Sequence, residues 1–323
     1  MVPEFQVRTT GELRPEEIAG LTRLFETVFA KPCPEDVFRR KFAGGGPGGS
    51  VHSLMFLGGE LIGAFSAIPL RYRFFGRTLL FAITADLMID PRHRGAISRV
   101  QRLAEGMYQR LAGDGVAFVF CCLREEIFQF HKAVSRWRAV GKVHYYAAPI
   151  RLPYLGPASS VVRASVRIWN RLSPGPAQLG DAAFEIEKVN DAAFAAWRYG
   201  IFPSGYVTVA LRGGTAVYAT ELYYPIAGVP PQVRLALLID VAPLTQASFD
   251  EAVLTIRRRE PGLTVLAYQG SLPFRPCEMI PIPEKYEKPS WTLAGRVLRP
   301  DQVDDRIFEL RHWNINLSNG DLV

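Results

Sequence analysis

Ala82-Ile83-Thr84-Ala85-Asp86-Leu87-Met88-Ile89-Asp90-Pro91-Arg92-His93-Arg94-Gly95-Ala96-Ile97-Ser98-Arg99-Val100 joins an apolar strand, a short basic turn and the opening of an amphipathic helix. The strand ends at Asp90-Pro91, where proline lacks the N–H that a ladder needs. Apolar residues then recur with helical spacing at Val100, Leu103, Ala104, Met107, Tyr108 and Leu111. The first amides of a helix have no internal partner and carry a partial positive charge. Gly95 lets the backbone come close to a ligand, and Arg92, Arg94 and Arg99 add full charges. Such a strand–turn–helix predicts a pyrophosphate cradle.

Outward from this stretch the pattern is of helices and hairpins. Ile18, Leu21, Leu24, Phe25, Val28 and Phe29 predict a helix over Pro15–Phe29, with Glu16 and Glu17 in its first turn. Val37, Phe38 and Phe42 predict a second, shorter one. The glycine run Gly44-Gly45-Gly46-Pro47-Gly48-Gly49 follows no strand and precedes no Lys-Ser/Thr, so it reads as a loop rather than a nucleotide site. Ser53–Leu57 and Leu61–Ile68 flank a Gly58-Gly59 turn, and Arg71–Phe75 and Thr78–Ile89 flank Gly76, predicting two hairpins. Val116–Cys122 reads as a buried strand, Glu126–Ser135 as a helix and Trp137–Ala148 as a strand.

Pro153, Pro157, Pro174 and Pro176 mark residues 151–182 as a connection, within which Val161–Leu172 has the pattern of a short helix. Beyond it the order repeats: Tyr206–Leu211, Gly213-Gly214 and Ala216–Tyr223, then strand Arg234–Val241, helix Phe249–Arg258 and strand Leu263–Gln269. The two Gly-Gly pairs lie 155 positions apart. This predicts an internal duplication of one α/β unit.

Asp90-Pro91-Arg92-His93-Arg94-Gly95, followed by a helix and an apolar strand, resembles the cofactor motif of the GNAT acyltransferases. Phe128-Gln129-Phe130-His131-Lys132 and Trp137-Arg138-Ala139-Val140-Gly141 are similar to the family's later helix and the aromatic segment after it. The resemblance spans about residues 5 to 150. It implies a loop that grips the pyrophosphate of acetyl-CoA or another acyl-CoA through Arg92, Arg94, Gly95, Ala96, Ile97, Ser98 and Arg99. It also implies that the strand bearing Leu87, Met88 and Ile89 splays from its neighbour to admit the pantetheine arm. The departures are Ile97 and Arg99, where the family usually has small residues, and Phe130 and His131, where it often has a tyrosine. The fold class expected is α/β, an α+β mixed sheet. Two GNAT-like domains are expected, each a mostly antiparallel sheet with a central splayed strand pair flanked by helices. Residues 1–150 form the acyl-CoA-binding domain, 151–182 the connection, and 183–323 a degenerate copy, since Ala242-Pro243-Leu244-Thr245-Gln246 has neither Arg-Gly nor a basic cluster.

The implied reaction is acyl transfer to an amine on a small molecule or saccharide, and it needs a neutral amine and a proton acceptor. Asp86 is the candidate base, set against a structural ion pair. His131 is the candidate acid for the leaving thiolate, set against a histidine satisfied within the fold. A CoA-ester-binding scaffold without turnover, and a tRNA-dependent aminoacyl transferase of the peptidoglycan type, remain as alternatives. The five histidines and four cysteines show no metal spacing. The net charge of +7 is spread over short groups without interleaved aromatics, which argues against nucleic acid. No apolar run reaches the roughly 18 residues of a bilayer span. With no secretory leader read at the N-terminus and unpaired cysteines, a cytoplasmic location is expected.

Overall fold

Pro15 at the first helical position, Glu16 and Glu17 in the first turn, and the apolar stripe behind them produce α1 (Pro15–Phe29). The Glu17 carboxylate accepts a hydrogen bond from the Arg14 amide at 2.8 Å, satisfying a donor at the helix start. α2 (Glu35–Ala43) buries Val37, Phe38, Lys41 and Phe42 on one face. The computed structural model describes residues 2–44, 49–151, 158–172, 184–202, 205–220, 233–287 and 290–320. Most of the expected glycine loop, and both flanks of the helix expected at Val161–Leu172, lie outside these residues.

The chain divides into two compact units. The first comprises Met1–Gly141, Ile186–Ile201 and Trp291–Leu310, and the second Lys142–Glu185, Phe202–Ser290 and Arg311–Val323. Segments from the second half of the sequence therefore belong to the first unit.

In the first unit, β1 (Glu4–Thr9), β2 (Val51–Leu57), β3 (Glu60–Phe74) and β4 (Arg77–Ile89) form an antiparallel meander. β4 pairs in parallel with β5 (Val116–Arg124) through the crossover helix α3 (Ile97–Gly113). α4 (Glu125–Ser135) follows β5, and then β6 (Arg138–Pro149), whose residues from Lys142 onward belong to the second unit. The expected strands Leu61–Ile68 and Arg71–Phe75 are one continuous strand, β3, which runs through Pro69. On one edge of β3, pairing with β2 ends at Ala67, and the short strand Ile186–Lys188 begins to pair at Tyr72. Pro69 lies in the gap, where its missing N–H leaves no ladder bond unmade.

Alternation along β2 sorts the helices to opposite faces of the sheet. Val51 and Met55 join Leu103, Met107, Tyr108 and Leu111 of α3 in one core, and the Trp137 indole donates to the Tyr108 hydroxyl at 2.9 Å. His52, on the other face, packs against Phe38 and Phe42 of α2. Each such buried large side chain contributes about 2 kcal/mol.

The later strand Trp291–Val297 pairs antiparallel with β5 along its free edge. Gly295 faces Phe120 there, and a Cβ on it would collide with the Val119 carbonyl oxygen and the Phe118 ring.

The second unit holds α5 (Ser159–Leu172) and a sheet whose strands run in the order β6, Val265–Gly270, Leu235–Ala242, Gly214–Ala219 and Val207–Leu211. Leu235–Ala242 and Val265–Gly270 are parallel and joined by helix Gln246–Arg259. Phe249, Ala252, Val253 and Ile256 of that helix pack on Tyr218, Leu238, Leu266 and Tyr268.

Gly295→Ala is expected to lower stability to denaturant by about 1–3 kcal/mol, through overpacking. Gly113→Ala, whose added Cβ would meet nothing within 4 Å, is the control and should leave stability unchanged or slightly higher.

Candidate active site

The first unit's site begins where β4 leaves β5. Parallel pairing covers Leu80–Ile83 and Val116–Phe120, and the strands continue to Ile89 and Arg124 without pairing to each other. On its other edge β4 stays paired with β3 as far as Ile89 opposite Gly63. A bulge interrupts that pairing between Ala85 and Met88, where Asp86 and Leu87 oppose Phe65 alone. Asp86 is left-handed there, with φ +49°, a conformation that aspartate tolerates better than most side chains. The parting leaves β4 backbone groups available to a ligand, since buried N–H and C=O groups require partners.

The loop after β4 is braced from within. Asp90 accepts hydrogen bonds from the Arg92 amide at 2.8 Å and from its guanidinium, and Arg92 also reaches Glu60 at 2.8 Å. The Arg92 hydrogen bonds hold the Asp90 carboxyl below its ordinary range. Arg94 donates from Nε to the Ile89 carbonyl at 3.2 Å, and Arg99 donates to the His93 carbonyl at 3.2 Å. Gly95 has φ +108° and open space where a Cβ would project. Ala96 caps α3 with no side-chain hydrogen bond, so the helix's leading amides lack a capping side chain.

A pocket of about 390 Å³ opens at this point. Val28 of α1, Leu87 and Ile89 of β4, and Phe130 of α4 give it apolar walls. Arg94, Gly95, Ala96, Ile97 and Arg99 bring the loop and the helix start to it. Of the residues expected at a cofactor, Arg92 is turned into its contacts with Asp90 and Glu60, Met88 is buried in the core, and Ser98 does not line the pocket.

No protein-family model and no curated protein matches the sequence. Solved structures do match the fold. One is a protein of Enterococcus faecalis described as a probable N-acyltransferase, with a TM-score of 0.59 and 12% identity over 92% of this chain and 73% of that one. Another is a GCN5-related N-acetyltransferase of Anabaena variabilis, with a TM-score of 0.57 and 11% identity over 92% and 73%. A third, from Kribbella flavida, is also described as a GCN5-related N-acetyltransferase and gives 0.54 and 11% over 90% and 71%. The chain has the GNAT fold.

Within the GNAT fold, the two candidate catalytic residues have different surroundings. Both Asp86 oxygens accept hydrogen bonds from Lys41 Nζ at 3.0 Å, and both side chains are buried. Lys41 also lies over the Phe42 ring, 5.3 Å from its centroid. His131 is buried against Trp137, Phe65 and Phe130, and its Nδ1 has no hydrogen-bond partner. Burial holds its pKa down at about 4, so the ring is neutral at pH 7.

Lys41 is absent from the sequence-derived candidates, although its position carried a signal. It shares the buried stripe of α2 with Val37, Phe38 and Phe42, where a lysine needs a buried partner. Among the described residues, no group of three His, Cys, Asp or Glu could hold a metal ion, and no helix is long and apolar enough to cross a membrane.

The depressed histidine makes stability depend on pH. The unfolded chain binds a proton at His131 near pH 6.5 and the folded one only near 4, so the contribution is complete above 6.5 and lost as pH falls toward 4. His52, held at about 3 by burial and then by the Lys41 charge, adds a loss of the same sign. Relative to the wild type, His131→Phe should flatten the stability–pH curve between pH 6.5 and 4 by on the order of 3 kcal/mol, read by urea unfolding at each pH.

Proposed function

We propose that the first unit is an acyl-CoA-dependent N-acyltransferase domain that moves an acyl group, acetyl or longer, to an amine on a small molecule or saccharide. The observation that carries this reading is the α3 start, which has no side-chain cap and opens onto an apolar-walled pocket beside the parting of β4 from β5. The residues fit a CoA ester. Gly95 leaves room for close approach, the leading amides of α3 and the Arg94 and Arg99 guanidiniums suit phosphates, and Val28, Leu87, Ile89 and Phe130 suit the pantetheine arm. The thioester supplies an activated acyl carbonyl.

The protein's part is positioning. The bulge at Asp86 turns β4 so that Leu87 and Ile89 face the pocket while Met88 stays in the core. The apolar walls exclude water, which favours the neutral amine that must attack. Asp86, engaged by Lys41, acts in this reading as the anchor of the bulge, and His131 as a neutral packed ring. A site working by orientation retains a large part of its rate enhancement without a dedicated acid or base.

The second reading, a scaffold that binds CoA esters without turnover, is favoured by the same two residues. One is tied in an ion pair and the other is caged among aromatics.

The second unit is, in this account, a degenerate GNAT-like copy with no cofactor site. Its hairpin, parallel strand pair and intervening helix repeat the order of the first. The start of its helix is closed by its own side chains: Thr245 Oγ1 accepts from the Ser248 amide at 3.2 Å, and Ser248 Oγ accepts from the Thr245 amide at 3.1 Å.

Thermal unfolding with acetyl-CoA, a longer acyl-CoA, free CoA and ATP tests the proposal. CoA species at about a hundredfold over their dissociation constant should stabilise by about 2.7 kcal/mol. ATP should have no such effect, and Gly95→Glu should abolish the CoA effect. Thiol release with an amine panel supports the enzyme, whereas stabilisation without thiol release supports the scaffold. The absence of any CoA effect contradicts both.

A further inference from the structure

In the second unit the parallel strands Leu235–Ala242 and Val265–Gly270 also part. Their mutual pairing ends at Leu238 opposite Tyr268. On their outer edges both stay held, the first as far as Ala242 opposite Thr215 and the second as far as Gly270 opposite His144. Beyond the parting each strand presents an inner edge whose backbone groups need partners. A distant segment of the same unit, Trp313–Asn319, enters here. Asn316 forms an antiparallel bridge with Gly270. His144 takes the outer edge of Gly270, so this bridge lies on the edge that Leu235–Ala242 has left. The Asn316 side chain reaches the opposite strand, where its Nδ2 donates to Asp240 Oδ1 at 3.0 Å. One residue thus joins the two parted strands.

Contacts with the segment continue on either side of Asn316. The Ser271 amide donates to the Ile315 carbonyl at 2.8 Å, and the Ile315 amide donates to the Ser271 hydroxyl at 3.1 Å. That hydroxyl in turn donates to the Trp313 carbonyl. Gly270 leaves the space this requires, since a Cβ on it would collide with the Ile315 carbonyl oxygen. Asn316 Oδ1 accepts from the Ser318 amide at 2.9 Å, which fixes the side-chain amide and turns Nδ2 toward Asp240. Trp313 and Ile315 are fully buried, and no residue from Trp313 to Asn319 is more than 8% exposed. Segments without regular structure ordinarily run over the surface, because a buried one must find partners for all its backbone groups. This one finds them at a free strand edge and at Asp240, itself a buried carboxylate that needs donors. Main-chain pairing to an open edge, buried side chains and one selective polar contact are the elements of extended-peptide recognition.

We propose that the parting of Leu235–Ala242 from Val265–Gly270 is a peptide-binding cleft whose resident ligand is the chain's own Trp313–Asn319. Asp240 is its specificity residue, selecting an amide at position 316 over a carboxylate. Where the parting in the first unit leaves a pocket, the second is filled by chain. Being tethered, the segment holds the cleft at an effective concentration on the order of millimolar and keeps out a free peptide of the same sequence. The inference concerns the second unit alone and stands independently of the acyl-transfer reading.

The test uses the full chain and a fluorescently labelled synthetic peptide of residues 311–320, read by anisotropy, beside the same peptide carrying Asn316→Asp. Wild type, with its cleft filled, should bind neither peptide. In the full-length Asn316→Asp variant a carboxylate faces Asp240 and ejects the segment, so this chain should bind the natural peptide. It should bind the altered peptide at least about tenfold more weakly. Adding Asp240→Asn to Asn316→Asp restores a donor opposite the carboxylate, so the double variant should again refuse the natural peptide and regain the wild-type thermal midpoint. A folded Asn316→Asp chain that binds no peptide, or that binds both equally, overturns the proposal, as does binding by wild type. If Asn316→Asp alone does not fold, the double variant decides: recovery of folding supports the Asp240 contact as the selective one, and failure to recover overturns it.

Discussion

A parallel strand pair that separates part-way along its length leaves backbone hydrogen-bonding groups on both strands without their sheet partners, and the first unit is arranged around that requirement. β3 and the strand Trp291–Val297 hold the outer edges of β4 and β5, so each strand remains fixed in the sheet after the two part beyond Ile83 and Phe120. The bulge at Asp86 turns β4 just past this point, and the Lys41 ion pair fixes the aspartate in a conformation that most side chains avoid. Breaking a buried pair by removing one partner typically costs 3–5 kcal/mol, which makes α2 part of the site's construction although none of its residues lines the pocket.

The two crossover helices differ in how their starts are capped, and in the proposed reading that difference decides where an anion can bind. Both follow a strand of a parallel pair. α3 begins at Ala96, which has no side chain able to bond the leading amides, after a loop whose Gly95 takes φ +108°. Helix Gln246–Arg259 of the second unit is capped by Thr245, whose side chain accepts from the Ser248 amide while the Ser248 hydroxyl accepts from the Thr245 amide. The second arrangement favours helix stability, whereas the first leaves donors available to a ligand at some expense of stability.

Much of this was legible in the sequence because it rests on local rules. The helix periodicities, the Gly58-Gly59 and Gly76 turns, and the strand–turn–helix at Asp90–Gly95 each lie within a short window. What was not legible depended on distant pairing. Glu4–Thr9 carries only two inward apolar residues, Phe5 and Val7, and becomes a strand by pairing with β2. Trp291–Val297 lies more than 160 residues from the β5 edge that it completes, and no local signal announces that partner. The Lys41–Asp86 contact is of the same kind, since a lysine on an apolar stripe implies a buried partner without naming it. The break expected between Ile68 and Arg71 does not occur, because Pro69 falls between the end of the β2 pairing at Ala67 and the start of the next pairing at Tyr72.

Amide hydrogen exchange, with and without acetyl-CoA, tests most directly whether the parting of β4 and β5 and the start of α3 form one ligand site. The account predicts slowed exchange concentrated at Leu87–Ile89 and Gly95–Arg99, with no change at Gln246–Ser248 of the second unit. Binding accompanied by protection elsewhere, with these two stretches unaffected, would contradict it.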